Sequence, residues 1–110
     1  MLSLDAILKE LEQLVETLTL PEDWSKTIQF ELLDEESLEI RTLVIRFENG
    51  KGSIITQEII DFDVRIHVEK LIWKRLISGE LPVFAAFMGR KIKTNGRTED
   101  LMALAPLLVR

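Results

Sequence analysis

The side chains best suited to chemistry alternate along one short segment in the second half of the chain. They are Asp61, Asp63, Arg65, His67 and Glu69. Because residues two apart in a β-strand point to the same face, this segment predicts one polar strand face. Carboxylates and an imidazole on one face are able to bind a divalent metal or to exchange protons. Arg65 stands in the middle of the set and repels a cation, so we favour a solvated strand face over a catalytic or metal site.

The remaining inventory of reactive residue types is small. The chain has one histidine, no cysteine and no tyrosine. It contains no glycine-rich phosphate loop and no GxSxG segment that would expose a nucleophilic serine on a sharp turn. We therefore predict no catalytic residue, no metal and no cofactor, and a protein that is not an enzyme.

Composition and charge narrow the class of protein further. A chain of 110 residues fits one domain, which we expect to cover residues 1–110. Hydrophobic residues make up 46% and charged residues 30%, as in an ordinary globular protein. With 14 basic and 19 acidic residues, the net charge of -5 opposes attraction to phosphate backbones, so we predict no nucleic-acid partner.

The sequence also carries information about compartment. No apolar run approaches the ~20 residues that span a bilayer. The charged, amphipathic N-terminal segment lacks the continuous apolar stretch of a signal peptide. Because the chain has no cysteine, it forms no disulfides, and a reducing compartment is the simplest expectation. We predict a cytoplasmic location.

The periodicity of apolar residues predicts a mixture of helices and strands. Spacings of three and four indicate helices, and alternation indicates strands. The predicted elements are a helix over 3–18, strands over 27–32, 38–47, 53–57 and 63–68, helices over 69–77 and 83–88, a short strand over 90–94 and a last helix from Thr98. A phase switch within 43–45 predicts a bulge or partial burial on both faces. Glycines within 48–52 predict a hairpin, and Pro106 predicts a kinked or shortened last helix with a swinging tail over 107–110.

An excess of apolar residues surrounds the short helix over 83–88. That helix is apolar nearly all round, whereas a helix packed on a sheet needs only one apolar stripe. Its second face requires a cover, which is the last helix, a partner chain or a bound ligand. Core packing and a ligand cavity remain open alternatives.

A basic stretch follows this helix. It contains Arg90, Lys91, Lys93 and Arg97, and no acidic residue stands between Phe84 and Thr98. Lysines on an edge strand commonly prevent sheet-to-sheet association, and we favour that role. The functional alternative is that one of these four cations meets the carboxylate, phosphate or membrane headgroup of an anionic ligand. Arg90 and Lys91 are our candidates for that role.

A series of landmarks in the second half follows a recognisable order. After the strand over 63–68 and a helix come Gly79, Glu80, Leu81 and Pro82, then Ala86 and Phe87, then Gly89, then Lys91, Ile92 and Lys93, and then Gly96. This series resembles the sterol carrier protein family of lipid-transfer domains. The resemblance covers about the last half of the chain. The first half, a helix followed by three strands, agrees with the family in order alone.

The resemblance implies an α+β fold in which helices cover one face of a five-stranded mixed sheet, with an apolar tunnel between them. It implies non-enzymatic binding or transfer of a fatty acid, acyl-CoA, phospholipid or sterol-like lipid. Carried onto this chain, the tunnel lining comprises Trp73, Leu76, Ile77, Phe84, Phe87, Met88, Leu101, Leu104 and Leu108. The expected partners are a lipid and, at most transiently, a membrane. The alternative is an interaction or dimerisation module that uses the same apolar helical surface, with a homodimer as its product.

Overall fold

The computed structural model describes residues 3–55 and 61–108, in which helices and strands form an α+β arrangement around one sheet. The elements are α1 (Leu4–Thr17), β1 (Thr27–Leu33), β2 (Ile40–Glu48), β3 (Lys51–Ile55), β4 (Val64–Glu69), α2 (Lys70–Ile77), α3 (Val83–Met88), β5 (Ile92–Thr94) and α4 (Thr98–Leu108). The five-stranded sheet has the order β3-β2-β1-β4-β5. Strands β1 and β4 pair in parallel and the other neighbours pair antiparallel. The predicted α+β class and five-stranded mixed sheet are confirmed.

Helix α1 packs through the apolar stripe that the sequence predicts. The stripe consists of Leu4, Ile7, Leu11 and Val15, all buried. The Ser3 hydroxyl accepts a hydrogen bond from the Ala6 amide at 3.1 Å and satisfies one of the free amides at the helix start. The helix contacts β2 and β3 and covers that side of the sheet.

The central strands place alternate apolar residues in the core. The buried set comprises Ile28, Phe30 and Leu32 of β1, Leu43, Ile45 and Phe47 of β2, and Val64, Ile66 and Val68 of β4. The β1–β2 register is continuous through the predicted phase switch, where Leu43 pairs with Phe30 and Ile45 with Ile28. Val44 is half-buried on the opposite face. Of the two alternatives, partial burial on both faces is therefore correct and the bulge is not.

The predicted hairpin between β2 and β3 is confirmed. Asn49 and Gly50 have φ values of 52° and 80°, as a type I′ turn requires. A Cβ atom at Gly50 would lie 2.2 Å from the Leu20 carbonyl oxygen, so glycine is required there for space as well as for conformation. Strand β3 begins at Lys51, earlier than predicted, and positions 56–57 of the predicted strand lie outside the described residues.

The second half of the chain completes the core. Trp73 of α2 is fully buried and its ring stands edge-on to Phe30, with centroids 5.6 Å apart. Helix α3 has the predicted bounds. Strand β5 starts at Ile92, because Arg90 takes a left-handed conformation (φ 58°) that no strand accommodates.

The prediction that Pro106 shortens the last helix and frees its tail is wrong at Leu107 and Leu108, and positions 109–110 of the predicted tail lie outside the described residues. Helix α4 continues through Pro106 to Leu108, and both Leu107 and Leu108 are buried. The apolar area that these two leucines remove from water offsets the hydrogen bond that proline cannot donate. Thr98 is the first residue of the helix, and the Asp100 carboxylate accepts the hydrogen bond from the Arg97 amide at 3.1 Å.

Candidate ligand-binding site

An apolar groove lies between helices α3 and α4. It has a volume of about 270 Å³ and is open to solvent. Its lining is almost wholly apolar and comprises Val83, Phe84, Phe87, Thr98, Leu101, Met102 and Ala105. The groove exists because every residue of α3 is apolar while only Ala86 is buried among them. Phe84 and Met102 are 63% and 69% exposed, so apolar side chains face water on both sides of this groove.

A second open groove of about 540 Å³ lies between the end of α3 and strand β5. Its lining is mixed in polarity and comprises Phe87, Met88, Arg90, Ile92, Lys93 and Thr94. Phe87 lines both grooves, so the two are neighbours across one aromatic ring. The apolar groove between α3 and α4 therefore adjoins a second groove that contains two cationic side chains, Arg90 and Lys93.

The turn after α3 fixes Arg90 at this junction. The Lys91 amide donates to the Ala86 carbonyl at 2.7 Å and the Arg90 amide to the Phe87 carbonyl at 3.1 Å. These two bonds form a Schellman motif, whose left-handed residue is usually glycine. Arg90 occupies that position with φ 58°, a conformation that strains a residue with a Cβ atom.

A smaller polar cleft of about 120 Å³ lies beside the second groove. It is lined by His67, Glu69, Ile72, Arg90, Lys91 and Lys93. Arg90 and Lys93 line both spaces. Within residues 3–55 and 61–108, the ion pairs do not include the side chains of Arg90, Lys91 or Lys93. These cations are thus available to a ligand, and Glu69 is the one carboxylate among the described residues of the cleft lining.

The polar face of β4 forms a hydrogen-bonded cluster with β1. Arg65 donates to both carboxylate oxygens of Glu31, from Nε at 3.0 Å and from the terminal Nη2 at 2.6 Å. Gln29 Nε2 donates to Glu31 at 2.7 Å, and His67 Nδ1 lies 3.0 Å from Glu31 Oε1. The hydrogen bond from Arg65, helped by those from Gln29 and His67, outweighs burial and lowers the pKa of Glu31 to about 2.

This cluster changes the interpretation of the alternating polar residues. Arg65 and His67 bind a carboxylate of the neighbouring strand, so the face is not simply solvated as predicted. Asp63 accepts a hydrogen bond from the Thr27 amide at 2.8 Å, while Asp61 is exposed. Among residues 3–55 and 61–108, no three histidine or carboxylate side chains are grouped to hold a metal ion. Sequence reasoning missed Glu31, because its contacts depend on the parallel β1–β4 pairing between distant segments.

An ion pair fixes the start of α4 beside the first groove. Lys26 Nζ donates to the buried carboxylate of Asp100. Burial alone would raise the pKa of Asp100, but the hydrogen bonds from Lys26 and from the Arg97 amide leave it below its usual value. The α4 wall of the groove is therefore anchored to the residue before β1.

The predicted lining residues divide into two sets. Phe84, Phe87 and Leu101 line the first groove, and Phe87, Met88 and Arg90 line the second. Those that pack within the core or against it are Trp73, Leu76, Ile77, Leu104 and Leu108. These five do not line either groove. Lys91 lines only the smaller cleft.

Sequence reasoning missed several groove residues. On α4 they are Thr98, Met102 and Ala105, and spacings of three and four place them on one helical stripe with Leu101. The helical spacing from Leu101 would have predicted these three residues as part of the same lining. The others are Val83, Ile92 and Thr94, which depend on how β5 is positioned beside α3.

A sequence profile of the SCP-2 sterol transfer family matches residues 4–109, nearly the whole chain. The chain belongs to this family. Two solved structures of sterol carrier protein 2 like 2 from Aedes aegypti share its fold. The crystal structure is 16% identical, covers 92% of each chain and has a TM-score of 0.70. The solution structure of the palmitated protein is 18% identical, covers 97% of this chain and 95% of that one, and has a TM-score of 0.69.

The SCP-2 fold also occurs as part of a larger enzyme. A double mutant of the sec-alkyl sulfatase PisA1, from Pseudomonas sp., matches 99% of this chain over 17% of its own, with 17% identity and a TM-score of 0.65. No curated protein sequence matches this chain at a significant level. In the described part of the chain, the helices are too short or too polar to cross a bilayer.

Proposed function

We propose that this SCP-2 domain binds one apolar lipid without catalysing a reaction on it, with the apolar part of the lipid in the α3–α4 groove. The observation that carries the proposal is that this apolar groove and the second, partly cationic one are neighbours that share Phe87 in their linings. Their volumes lie within the roughly 300–1,000 Å³ typical of small-molecule sites or just below it. Burial of apolar lipid surface, worth ~25 cal/mol per Å², supplies the affinity.

The ligand class follows from the chemistry of the two grooves. A fatty acid, acyl-CoA, phospholipid or sterol-like lipid each offers an apolar body and a polar end. The palmitated state of the Aedes aegypti protein supports a long acyl chain. Some residues that the sequence predicted as tunnel lining, such as Trp73 and Leu104, lie in the core. We propose that they contact lipid only when a longer ligand displaces core side chains. A cytoplasmic location stays a prediction.

Arg90 and Lys91 are proposed to hold the polar end. Arg90 stands between the second groove and the polar cleft, and Lys91 lines that cleft. A charge-assisted hydrogen bond from a guanidinium to a carboxylate or phosphate is stronger than one between neutral groups. The presence of arginine at a strained left-handed position, where glycine would be relaxed, supports a role for its side chain.

Displacement of a fluorescent fatty acid tests the apolar part of the site. Phe87→Glu places a charge between the grooves and is expected to abolish binding of palmitate. Leu38→Glu is the matched control, since Leu38 is exposed and lies on the β1–β2 turn. Equal loss of binding in both variants, or none in Phe87→Glu, would reject the site. Thermal unfolding of each variant separates lost binding from lost folding.

The same displacement assay tests the headgroup proposal. Replacing Arg90 and Lys91 with Gln is expected to weaken palmitate binding and to leave a long-chain alcohol unaffected. The effect shrinks between about 0.1 M and 1 M salt, where the screening length falls from ~10 Å to ~3 Å. Lys9→Gln with Lys51→Gln, on exposed positions of α1 and β3, controls for net charge. Unchanged palmitate binding in the Arg90 and Lys91 variant would contradict headgroup binding and leave edge protection as their role.

Dimerisation through the same helical surface is the alternative function. The exposed Phe84, Met88 and Met102 favour it, because obligate interfaces bury apolar side chains. Sedimentation velocity of the lipid-free protein distinguishes the two. A monomer that binds lipid supports the carrier function. A stable dimer that does not bind lipid, and that Phe84→Gln dissociates, supports the dimerisation module.

A further inference from the structure

Three side chains form a row across the sheet on the face opposite the apolar core. His67 of β4 is in register with Glu31 of β1 on one side and with Lys93 of β5 on the other. Its neighbours along the strand, Ile66 and Val68, are buried in the core, so His67 points to the opposite face. Because neighbouring strands lie about 5 Å apart, the imidazole stands between a carboxylate and an ammonium group.

The contact with Glu31 determines which nitrogen of His67 is free to take up a proton. His67 Nδ1 lies 3.0 Å from Glu31 Oε1. Arg65 and Gln29 donate to the same carboxylate, and the hydrogen bond from Arg65 does most to lower the pKa of Glu31 to about 2. At neutral pH this carboxylate is therefore ionised and only accepts hydrogen bonds. Nδ1 must carry a hydrogen to donate to it, which leaves the lone pair of the neutral ring on Nε2.

The position of His67 turns Nε2 toward the polar cleft. The two ring nitrogens point in nearly opposite directions, and Nδ1 is directed at Glu31 on the β1 side of β4. The cleft that His67 lines lies on the other side, where Lys93 of β5 and the turn with Arg90 and Lys91 complete it. The nitrogen that can gain a proton is thus the one that faces the cations of the cleft.

The charges around His67 come from its hydrogen-bonded cluster, its own strand and the cleft lining. Among the described residues they are Glu31 of β1, Arg65 and Glu69 of β4, Arg90 and Lys91 of the turn before β5, and Lys93 of β5. Glu31 and Arg65 neutralise each other. Three cations against one carboxylate then give the cleft lining a formal charge of +2 with a neutral imidazole and +3 with a protonated one.

We propose that His67 Nε2 contacts the anionic end of the ligand in the polar cleft, and that binding strengthens as the pH falls because this nitrogen then takes up a proton. Histidine is the side chain whose charge changes between pH 5 and 8. The protonated ring donates a charge-assisted hydrogen bond to an anion, whereas the neutral ring presents a lone pair that repels one. The His67 side chain is only 15% exposed, so salt screens its charge weakly. The contact rests on the proposed binding of an anionic end by Arg90 and Lys91.

Calorimetric titration with decyl sulfate, below its micellar concentration and at constant ionic strength, tests the contact. The sulfate group and Glu31 both stay ionised between pH 5.5 and 8, so neither contributes a change of charge. The affinity is expected to rise on the order of fivefold or more from pH 8 to pH 5.5. Decanol, which carries no charge, is expected to bind equally at both values.

Two variants separate His67 from other causes of a pH dependence. His67→Gln retains an amide that can donate to Glu31 but cannot titrate, and its affinity for decyl sulfate is expected to be independent of pH. Lys51→Gln, on the edge strand farthest from β5, is expected to retain the full pH dependence of the parent. A pH dependence that persists in His67→Gln, or equal decyl sulfate affinity at both pH values in the parent, overturns the contact while decanol binding still supports the lipid site. Absence of binding by both ligands at every pH overturns the proposed function and the contact with it.

Nuclear magnetic resonance of the parent protein makes the test independent of mutational loss. The chain has one histidine, so a single imidazole resonance follows the titration. Because binding and protonation are reciprocal, saturating decyl sulfate is expected to raise the titration midpoint by about 0.7 pH units for a fivefold effect. The ¹⁵N shifts of the neutral ring are expected to place its hydrogen on Nδ1. An unchanged midpoint, or a neutral ring with its hydrogen on Nε2, overturns the proposal.

Discussion

Charged side chains are arranged differently at the centre of the sheet and at its β5 edge. At the centre, Glu31 is only 9% exposed, and Arg65, His67 and Gln29 surround its carboxylate at hydrogen-bonding distance. At the edge, Arg90 and Lys93 are exposed beside apolar side chains that also face water. Arg65 and, through Nδ1, His67, which are among the residues best suited to chemistry, therefore stabilise the fold, whereas the exposed residues at the β5 edge are those that we propose to contact a ligand.

Among substitutions of charged or exposed residues, the largest effect on stability is expected from the central cluster. Glu31→Gln removes the charge that Arg65 and His67 contact and is expected to lower the free energy of unfolding by about 2–3 kcal/mol. Arg65 is partly exposed and stays solvated, which limits the loss. Denaturant unfolding at neutral pH measures it. A change below about 0.5 kcal/mol would show that the cluster is no more structural than an ordinary surface pair.

The same cluster predicts a pH dependence. The pKa of Glu31 falls from 4.5 to about 2 on folding, so its stabilisation is complete above pH 4.5 and is lost as the pH falls toward 2. Other carboxylates titrate in this range, so the difference between the parent and Glu31→Gln isolates this residue. That difference is expected to shrink from pH 5 to pH 2. A difference that stays constant over this interval would contradict the assignment.

Arg90 offers a test in which stability and function move in opposite directions. Arg90→Gly relieves the left-handed strain at the end of α3 and is expected to raise stability by up to about 1 kcal/mol. It also removes a cation and is expected to weaken palmitate binding. Thermal unfolding and ligand displacement measure the two effects on one sample. A destabilised variant would show that the arginine side chain makes a structural contribution that outweighs the strain.

The smallest effect on stability is expected at the exposed apolar side chains of α3. Because Phe84 and Met88 are mostly exposed, replacing both with Gln is expected to change the free energy of unfolding by less than about 0.5 kcal/mol. A matched core substitution, Trp73→Ala, is expected to cost about 3–5 kcal/mol. A large loss of stability in the Phe84 and Met88 variant would show that this surface is part of the core rather than a place for a partner.

The sequence predicted the parts of this fold that local spacing determines. The stripe of α1, the alternation of β4 and the Asn49–Gly50 turn are local signals, and each agrees with the structure. The Glu31 cluster depends on the parallel pairing of β1 with β4, which joins segments far apart in sequence and leaves no local trace. Burial of Leu107 and Leu108 likewise overrode the local effect of Pro106.

The sequence indicated which apolar residues lie near the candidate site, but not which of them line a groove and which lie in the core. The apolar excess around α3 left core packing and a ligand cavity as open alternatives, and in the structure Phe87 of this helix lines two open grooves. The division between core and groove was not predictable, because Trp73 and Phe84 are alike in apolarity and differ only in where α2 and α3 meet the sheet. Trp73 lies in the core against Phe30, whereas Phe84 faces the groove.

Nuclear magnetic resonance of the protein with ¹³C-labelled palmitate tests lipid binding in the α3–α4 groove most directly. Intermolecular Overhauser effects are expected between the acyl methylenes and the methyl groups of Leu101, Met102 and Ala105, which line the groove. The methyl groups of Leu38 and Ile40, exposed on the β1–β2 side of the sheet, are expected to show none. Acyl contacts confined to residues outside the groove, or no contacts at a saturating palmitate concentration, would contradict lipid binding at this site.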